Sequence, residues 1–161
     1  MKSITALILL LINQIFTQNN INESTIFLIR HAEKENSSND PDLSKEGQER
    51  AQFWKNYFIN KNIDVIYVTP TKRAQMTVAP LATTLQKEIH FYKPDQMNLK
   101  ALAEKHPGMN ILVVGHSTTI PKYLNQIQGT KEYPEIGKNE YDFLFEVQLY
   151  DKTPLVTCKR I

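Results

Sequence analysis

Four short apolar runs at regular intervals limit what this chain can fold into more than any other feature. Ser24-Thr25-Ile26-Phe27-Leu28-Ile29, Ile63 to Val68, Ile89 to Tyr92 and Ile111 to Val114 are rich in β-branched and large apolar residues, with no Gly or Pro. Strands read this way when both of their faces are covered. Helical spacing fills the intervals between them. After a polar loop from Asn36 to Asp42, Ser44 suits the N-cap of a helix running to about Ile59. Ala51, Trp54 and Phe58 fall at i, i+3 and i+7 as its inner face, with Tyr57 beside them. Thr71 suits the cap of a second helix whose Ala74, Val78, Leu81 and Leu85 share a face, and Pro80 inside it should kink the helix or split it in two. Asp95 to His106 and Ser117 to Gln126 read as two further helical stretches, with Pro121 tolerated in a first turn. Tyr141 to Leu149 and Leu155 to Arg160 form a closing strand pair around Asp151-Lys152-Thr153. This alternation predicts an α/β fold: a three-layer α/β/α sandwich with a mostly parallel central sheet.

The 161 residues, 41% of them hydrophobic, suit one such domain, expected over residues 24–161. Residues 1–23 read differently. Met1-Lys2-Ser3 is followed by the apolar run Ile4 to Ile12 and then by a polar exit through Thr17-Gln18-Asn19-Asn20. A basic start, an apolar segment and a polar exit make a signal peptide with a short leader, and an exported protein, periplasmic or secreted. A buried N-terminal helix is the alternative. The run is well short of the ~20 residues that span a bilayer, so no stable membrane span is expected in the mature chain. The net charge is +2, with Lys and Arg scattered among acids, and no nucleic-acid surface is expected. Cys158 is the only cysteine, which excludes an internal disulfide and a cysteine zinc cluster.

Three strands end in polar residues of one kind. The first ends in Arg30-His31, the second leads through Thr69-Pro70 to Lys72-Arg73 at a helix start, and the fourth ends in Gly115-His116-Ser117-Thr118. In open α/β sheets, ligands sit beyond the carboxyl ends of the strands. Two Arg and two His would therefore converge beside helix N-termini, whose free N–H groups favour anions. Arginine offers planar, bidentate donors to phosphoryl oxygens. A metal site is the rival for the two histidines, but two arginines repel a dication and no third ligand has metal-like spacing. A metal is therefore disfavoured. If His31 attacks phosphorus, it must do so as neutral imidazole, with one ring nitrogen tied to an acceptor; a backbone carbonyl is the expected one. Cationic neighbours should lower its pKa.

Arg30-His31-Ala32-Glu33, Thr69-Pro70-Thr71-Lys72-Arg73-Ala74-Gln75-Met76-Thr77 and Val114-Gly115-His116-Ser117 resemble the three signature segments of the histidine phosphatase superfamily. That superfamily includes the phosphoglycerate mutases, and the chain resembles a short, capless, phosphoglycerate mutase-like member. Asp42-Leu43-Ser44-Lys45-Glu46-Gly47, with Arg50-Ala51, is similar to its L-[ST]-x-x-G-x-x-[RQ]-A helix start. The resemblance implies that His31 becomes phosphorylated, that Arg30, Arg73 and His116 hold the phosphoryl oxygens, and that no metal or organic cofactor is required. It also implies an acid for the leaving group. The mutase-like members carry a carboxylate just after the third strand, where this chain has Lys93-Pro94-Asp95-Gln96. Asp95 is thus a candidate acid, or a cap for the helix that follows. Glu33 is a second candidate, or the partner of an arginine. Ser117 stands where the acid phosphatase and phytase branch has an aspartate, which argues against a phytase-like enzyme.

Larger members use the interval between the second and third segments for a cap. Residues 78–115 have room here for a short strand and one helix, so the site should be open. An open site suits promiscuous phosphomonoesters, phosphoramidates or a phosphoprotein. It would hold the diphosphorylated intermediate of a mutase poorly. A non-catalytic phosphoanion-binding domain is the reading from a different class.

Overall fold

The computed structural model describes residues 23–150 and 153–161. All but Glu23 of the signal peptide and leader read over residues 1–23 lies outside the described residues, as do Asp151 and Lys152 of the expected closing turn. Along the rest run β1 (Thr25–Arg30), α1 (Lys45–Phe58), β2 (Ile63–Val68), α2 (Lys72–Leu85), β3 (Ile89–Phe91), α3 (Leu99–Lys105), β4 (Asn110–Gly115), α4 (Thr119–Gln128), β5 (Phe143–Tyr150) and β6 (Thr153–Arg160). One six-stranded sheet has the order β3-β2-β4-β1-β5-β6. Its first four strands are mutually parallel, and β5 and β6 extend it antiparallel. The mostly parallel three-layer sandwich expected from the sequence is what forms.

The layers follow from side-chain alternation along each strand. Ile26 and Leu28 of β1, with Ile111 and Val113 of β4, pack against Leu99, Leu102, Ile120 and Leu124 of α3 and α4. Phe27, Ile29, Leu112 and Val114 pack on the other face against Trp54, Phe58, Val78 and Leu81 of α1 and α2. Ten of these strand and helix residues lie at 0% exposure, including Ile26, Ile29 and Val114. The strand ends are therefore anchored from both sides.

Ser44 caps α1 as its sequence suggests, its Oγ accepting from the Gly47 N–H at 3.2 Å. Gly47 is required by packing: a Cβ there would sit 2.1 Å from the Glu33 carbonyl oxygen. The first turn of α1 thus presses directly on the segment that follows β1. Pro80 does not split α2, which runs unbroken from Lys72 to Leu85. Buried Thr77, Val78, Leu81 and Ala82 flank the proline on its inner face and outweigh the single backbone bond that it removes.

Two helix starts fall later than expected. Residues 93–96 form a turn closed by the Gln96 N–H to the Lys93 carbonyl, with Pro94 in the position that favours its fixed φ. α3 then begins at Leu99, capped by Asn98 and not by Asp95. α4 begins at Thr119 and not at Ser117, because Thr119 Oγ1 turns back to accept from the His116 N–H at 3.0 Å. Tyr141 lies before β5 and not within it.

Candidate active site

The carboxyl ends of β1 and β4 lie side by side: Arg30 pairs with Gly115, and the His31 N–H donates to the Gly115 carbonyl at 3.0 Å. That register sets the rings of His31 and His116 edge to face, 5.3 Å apart. Gly115 is tightly enclosed, since a Cβ would meet Ile120, Thr119 and Tyr92 at 3.0 to 3.2 Å. Arg73 comes from the first turn of α2. Its charge acts on both histidines, as does that of Arg30. The four residues expected to converge do so.

His31 is buried, and its Nδ1–H donates to the Ala32 carbonyl at 2.8 Å. A carbonyl oxygen can only accept, so this bond fixes the Nδ1–H tautomer and leaves the Nε2 lone pair free. The expected backbone acceptor is therefore Ala32. Burial pulls the His31 pKa down to about 3, aided by His116, Arg73 and Arg30 and opposed by the bond to Ala32. His116 is pulled down to about 4, again by burial first and then by Arg73 and Arg30. Cations were the expected cause. Desolvation is the larger one, because the strand ends are packed between layers.

Arg30 divides its guanidinium between structure and site. Nη1 donates to the carbonyls of Gly137, Lys138 and Glu140 at 2.8, 3.0 and 2.9 Å. Its Cζ lies 4.0 Å from the ring centre of Tyr141. Nε is buried with no acceptor among the described residues. An unpaired buried donor costs about 1–3 kcal/mol, and more when charged. A phosphoryl oxygen is the kind of acceptor that suits it.

Neither candidate acid joins this cluster. Asp95 is exposed in the turn after Pro94, and its charge is felt by Tyr123, not by His31 or His116. Glu33 is taken by Arg50, whose Nε reaches its two carboxylate oxygens at 2.8 and 2.9 Å and whose Nη2 lies 2.7 Å from Oε1. Nor is the start of α2 entirely open to an anion: its Lys72 N–H donates to Asp40 Oδ1 at 2.9 Å, and that oxygen lies 3.7 Å from Arg73 Nη1.

Sequence reasoning missed two residues at the site. Thr77 is fully buried; its Oγ1 accepts from the Ala32 N–H at 2.9 Å and donates to the Arg73 carbonyl at 2.7 Å. It ties the His31 segment to the helix that carries Arg73. Its spacing, four residues after Arg73 on one helix face, was a usable signal. Tyr141 lies with its ring centre 6.2 Å from that of His31, and no local pattern pointed to it.

The arrangement fits a tetrahedral dianion better than a metal. Among the described residues, no group of three His, Cys, Asp or Glu is placed to hold a metal ion. An apolar cavity of about 260 Å³, lined by Ser24, Ala103, Ile127 and Leu149 among others, lies at the opposite end of β1 and has none of this chemistry.

Residues 26–93 match the family model of the histidine phosphatase superfamily (branch 1). Over those residues, less than half of its length, the chain is similar to that superfamily. No curated protein matches the sequence. Among solved structures, a phosphoserine phosphatase mutant from Entamoeba histolytica in complex with phosphoserine has a TM-score of 0.70 at 16% identity, covering 83% of this chain and 95% of that one. The protein histidine phosphatase SixA, complexed with tungstate, gives 0.69 at 14% identity, with coverage of 84% and 96%. The alpha-ribazole phosphatase from Shigella flexneri gives 0.66 at 14%, with 85% and 96%. At these identities the likeness speaks for the fold. His116 lies beyond residues 26–93, so its place in the site rests on the geometry above.

Proposed function

We propose that this chain is a metal-independent phosphatase that hydrolyses phosphomonoesters or phosphoramidates through a phosphohistidine at His31. The observation that carries the reading is the Nδ1–H bond to Ala32, which leaves Nε2 of a buried, neutral imidazole as the nucleophile beside two arginines. Nε2 attacks phosphorus in line with the leaving group. Arg30 through Nε, Arg73 and His116 hold the three equatorial oxygens, where fixed cations and dipoles stabilise the transition state without rearranging. Water then hydrolyses the phosphoenzyme and restores His31. The guanidinium groups already supply the positive charge that a metal would bring.

Only β3, the seven-residue α3 and short loops separate α2 from β4. That brevity supports an open site and a phosphatase reading over a mutase one. The match of residues 26–93 to the superfamily model and the phosphatases of like fold support the same class. The substrate is a phosphorylated small molecule or a phosphoprotein, and an exported location, read from residues 1–23, belongs to the same proposal.

The test is turnover of p-nitrophenyl phosphate in the presence of chelator, with acid-quench trapping of labelled enzyme. Wild type should turn over and trap one phosphate, and His31→Ala should do neither. Wild type inert toward aryl, alkyl and phosphoramidate substrates would leave only a phosphoanion-binding domain. N-terminal sequencing of the chain recovered from its host tests the export reading.

A further inference from the structure

We propose that Tyr141 is a further catalytic residue, donating its phenolic proton to the leaving-group oxygen; this rests on the phosphohistidine reading of His31. A phosphomonoester with an alkyl leaving group needs a proton at the bridging oxygen as the P–O bond breaks. Each carboxylate near the site is engaged elsewhere. Glu33 is clamped by Arg50. Glu140 accepts from the Gly137 N–H through Oε2 and is paired with Arg160 through Oε1. Asp40 accepts from the Lys72 N–H and faces Arg73. Asp95 sits in its exposed turn near Tyr123. His116 is the other protic group beside His31. As a neutral imidazole between cations it is suited to hydrogen-bonding a phosphoryl oxygen, since giving up its N–H would leave an imidazolate.

Tyr141 remains. Its ring is tilted against that of His31 at 6.2 Å, and the guanidinium of Arg30, the arginine assigned to the phosphoryl oxygens, lies 4.0 Å over its centre. It is also held in place. Arg30 Nη1 grips the three carbonyls of Gly137, Lys138 and Glu140 just before it, so the phenol is mounted on the arginine that binds substrate. The guanidinium over its face holds the ring in place by cation–π attraction.

The step balances. His31 Nε2 forms the P–N bond, the P–O bond to the leaving group breaks, and the alkoxide takes the Tyr141 proton to depart as an alcohol. In the second step water attacks phosphorus, the P–N bond breaks, and the phenolate takes the water's proton. Phosphate leaves, with His31 neutral and Tyr141 protonated as at the start.

The variant Tyr141→Phe keeps the ring and its stacking on Arg30 and removes only the proton. We expect kcat/KM for propyl phosphate to fall about 100-fold, at the low end of general-acid effects, and p-nitrophenyl phosphate, whose leaving group needs no proton, to change less than about threefold. Phosphoenzyme trapping from the aryl substrate should persist. Equal losses on both substrates would overturn the proposal by making Tyr141 a support for Arg30, and no loss on propyl phosphate would overturn it directly. Failure of the underlying reading is separately visible: His31→Ala would keep its activity or wild type would show none, and either result removes the proposal too.

Discussion

Thr77→Val tests whether the site is held together by one buried hydroxyl. Valine matches threonine in shape but removes both bonds of Oγ1. The bond to the Arg73 carbonyl is cheap to lose, because within α2 that carbonyl also takes the Thr77 backbone N–H. The Ala32 N–H has no such second partner among the described residues, and Ala32 is at 0% exposure. Leaving it unpaired costs about 1–3 kcal/mol. Ala32 also carries the carbonyl that fixes the His31 tautomer, so the same loss loosens the nucleophile. A misplacement near 1 Å costs on the order of 100-fold in rate. Urea unfolding should show a lower midpoint at unchanged slope, and rapid-quench phosphorylation of His31 should slow about 10- to 100-fold. Thr77→Ser, which keeps the hydroxyl, should lose about 1 kcal/mol through its missing methyl and phosphorylate near the wild-type rate. If valine is as stable as serine and phosphorylates as fast, the hydroxyl does not position the site.

Three other outcomes follow from the geometry. The folded pKa values of His31 and His116, about 3 and about 4, lie below the unfolded value near 6.5, so the unfolded chain binds protons first. Stability is full above pH 6.5 and falls by up to about 1.4 kcal/mol per unit and per histidine toward pH 4; double substitution by Gln should flatten that limb in urea melts, and an unchanged limb would show these histidines are not its source. Gly47→Ala places a methyl 2.1 Å from the Glu33 carbonyl oxygen, so backbone must move, and thermal melts should register a loss of about 2–4 kcal/mol. Asp95→Asn should leave the ratio of alkyl to aryl turnover within about twofold of wild type; a selective loss on alkyl phosphates would return Asp95 to the mechanism.

What the sequence made legible was whatever depends on local pattern. The strands and the α1 and α2 faces rest on periodicity over many residues, and Ser44 rests on a cap, so each appears where expected. Arg30, His31, Arg73 and His116 were readable because a parallel sheet brings its carboxyl ends to one edge. The misses depend on contacts distant in sequence or on single local bonds. Asp95 looked like a cap, but Pro94 and the Gln96-to-Lys93 bond spent it in a turn. Glu33 left two readings open, an acid or the partner of an arginine, and the second holds: Arg50, 17 residues away, comes alongside it where Gly47 lets α1 approach. Tyr141 was read as a strand residue, and only the grip of Arg30 on residues 137–140 brings it to His31.

The electrostatics of the site make sense only with a dianion in it. Two arginines and two histidines share one buried edge, and burial is the main reason that both imidazoles stay neutral. Arg30 keeps a buried Nε–H without an acceptor among the described residues, and Arg73 shares its charge with a half-exposed Asp40. Preorganised cations of this kind are costly to the free fold and are repaid only by an anion. A phosphoryl group would pair with Nε and compete with Asp40 for Arg73, while His116 stays neutral and donates its N–H, so binding should take up no proton near neutral pH. Titration calorimetry with vanadate in buffers of different ionisation enthalpy reads any such proton directly. Uptake that vanishes in His116→Gln would mean that the bound anion protonates His116, and would make His116 the acid in place of Tyr141.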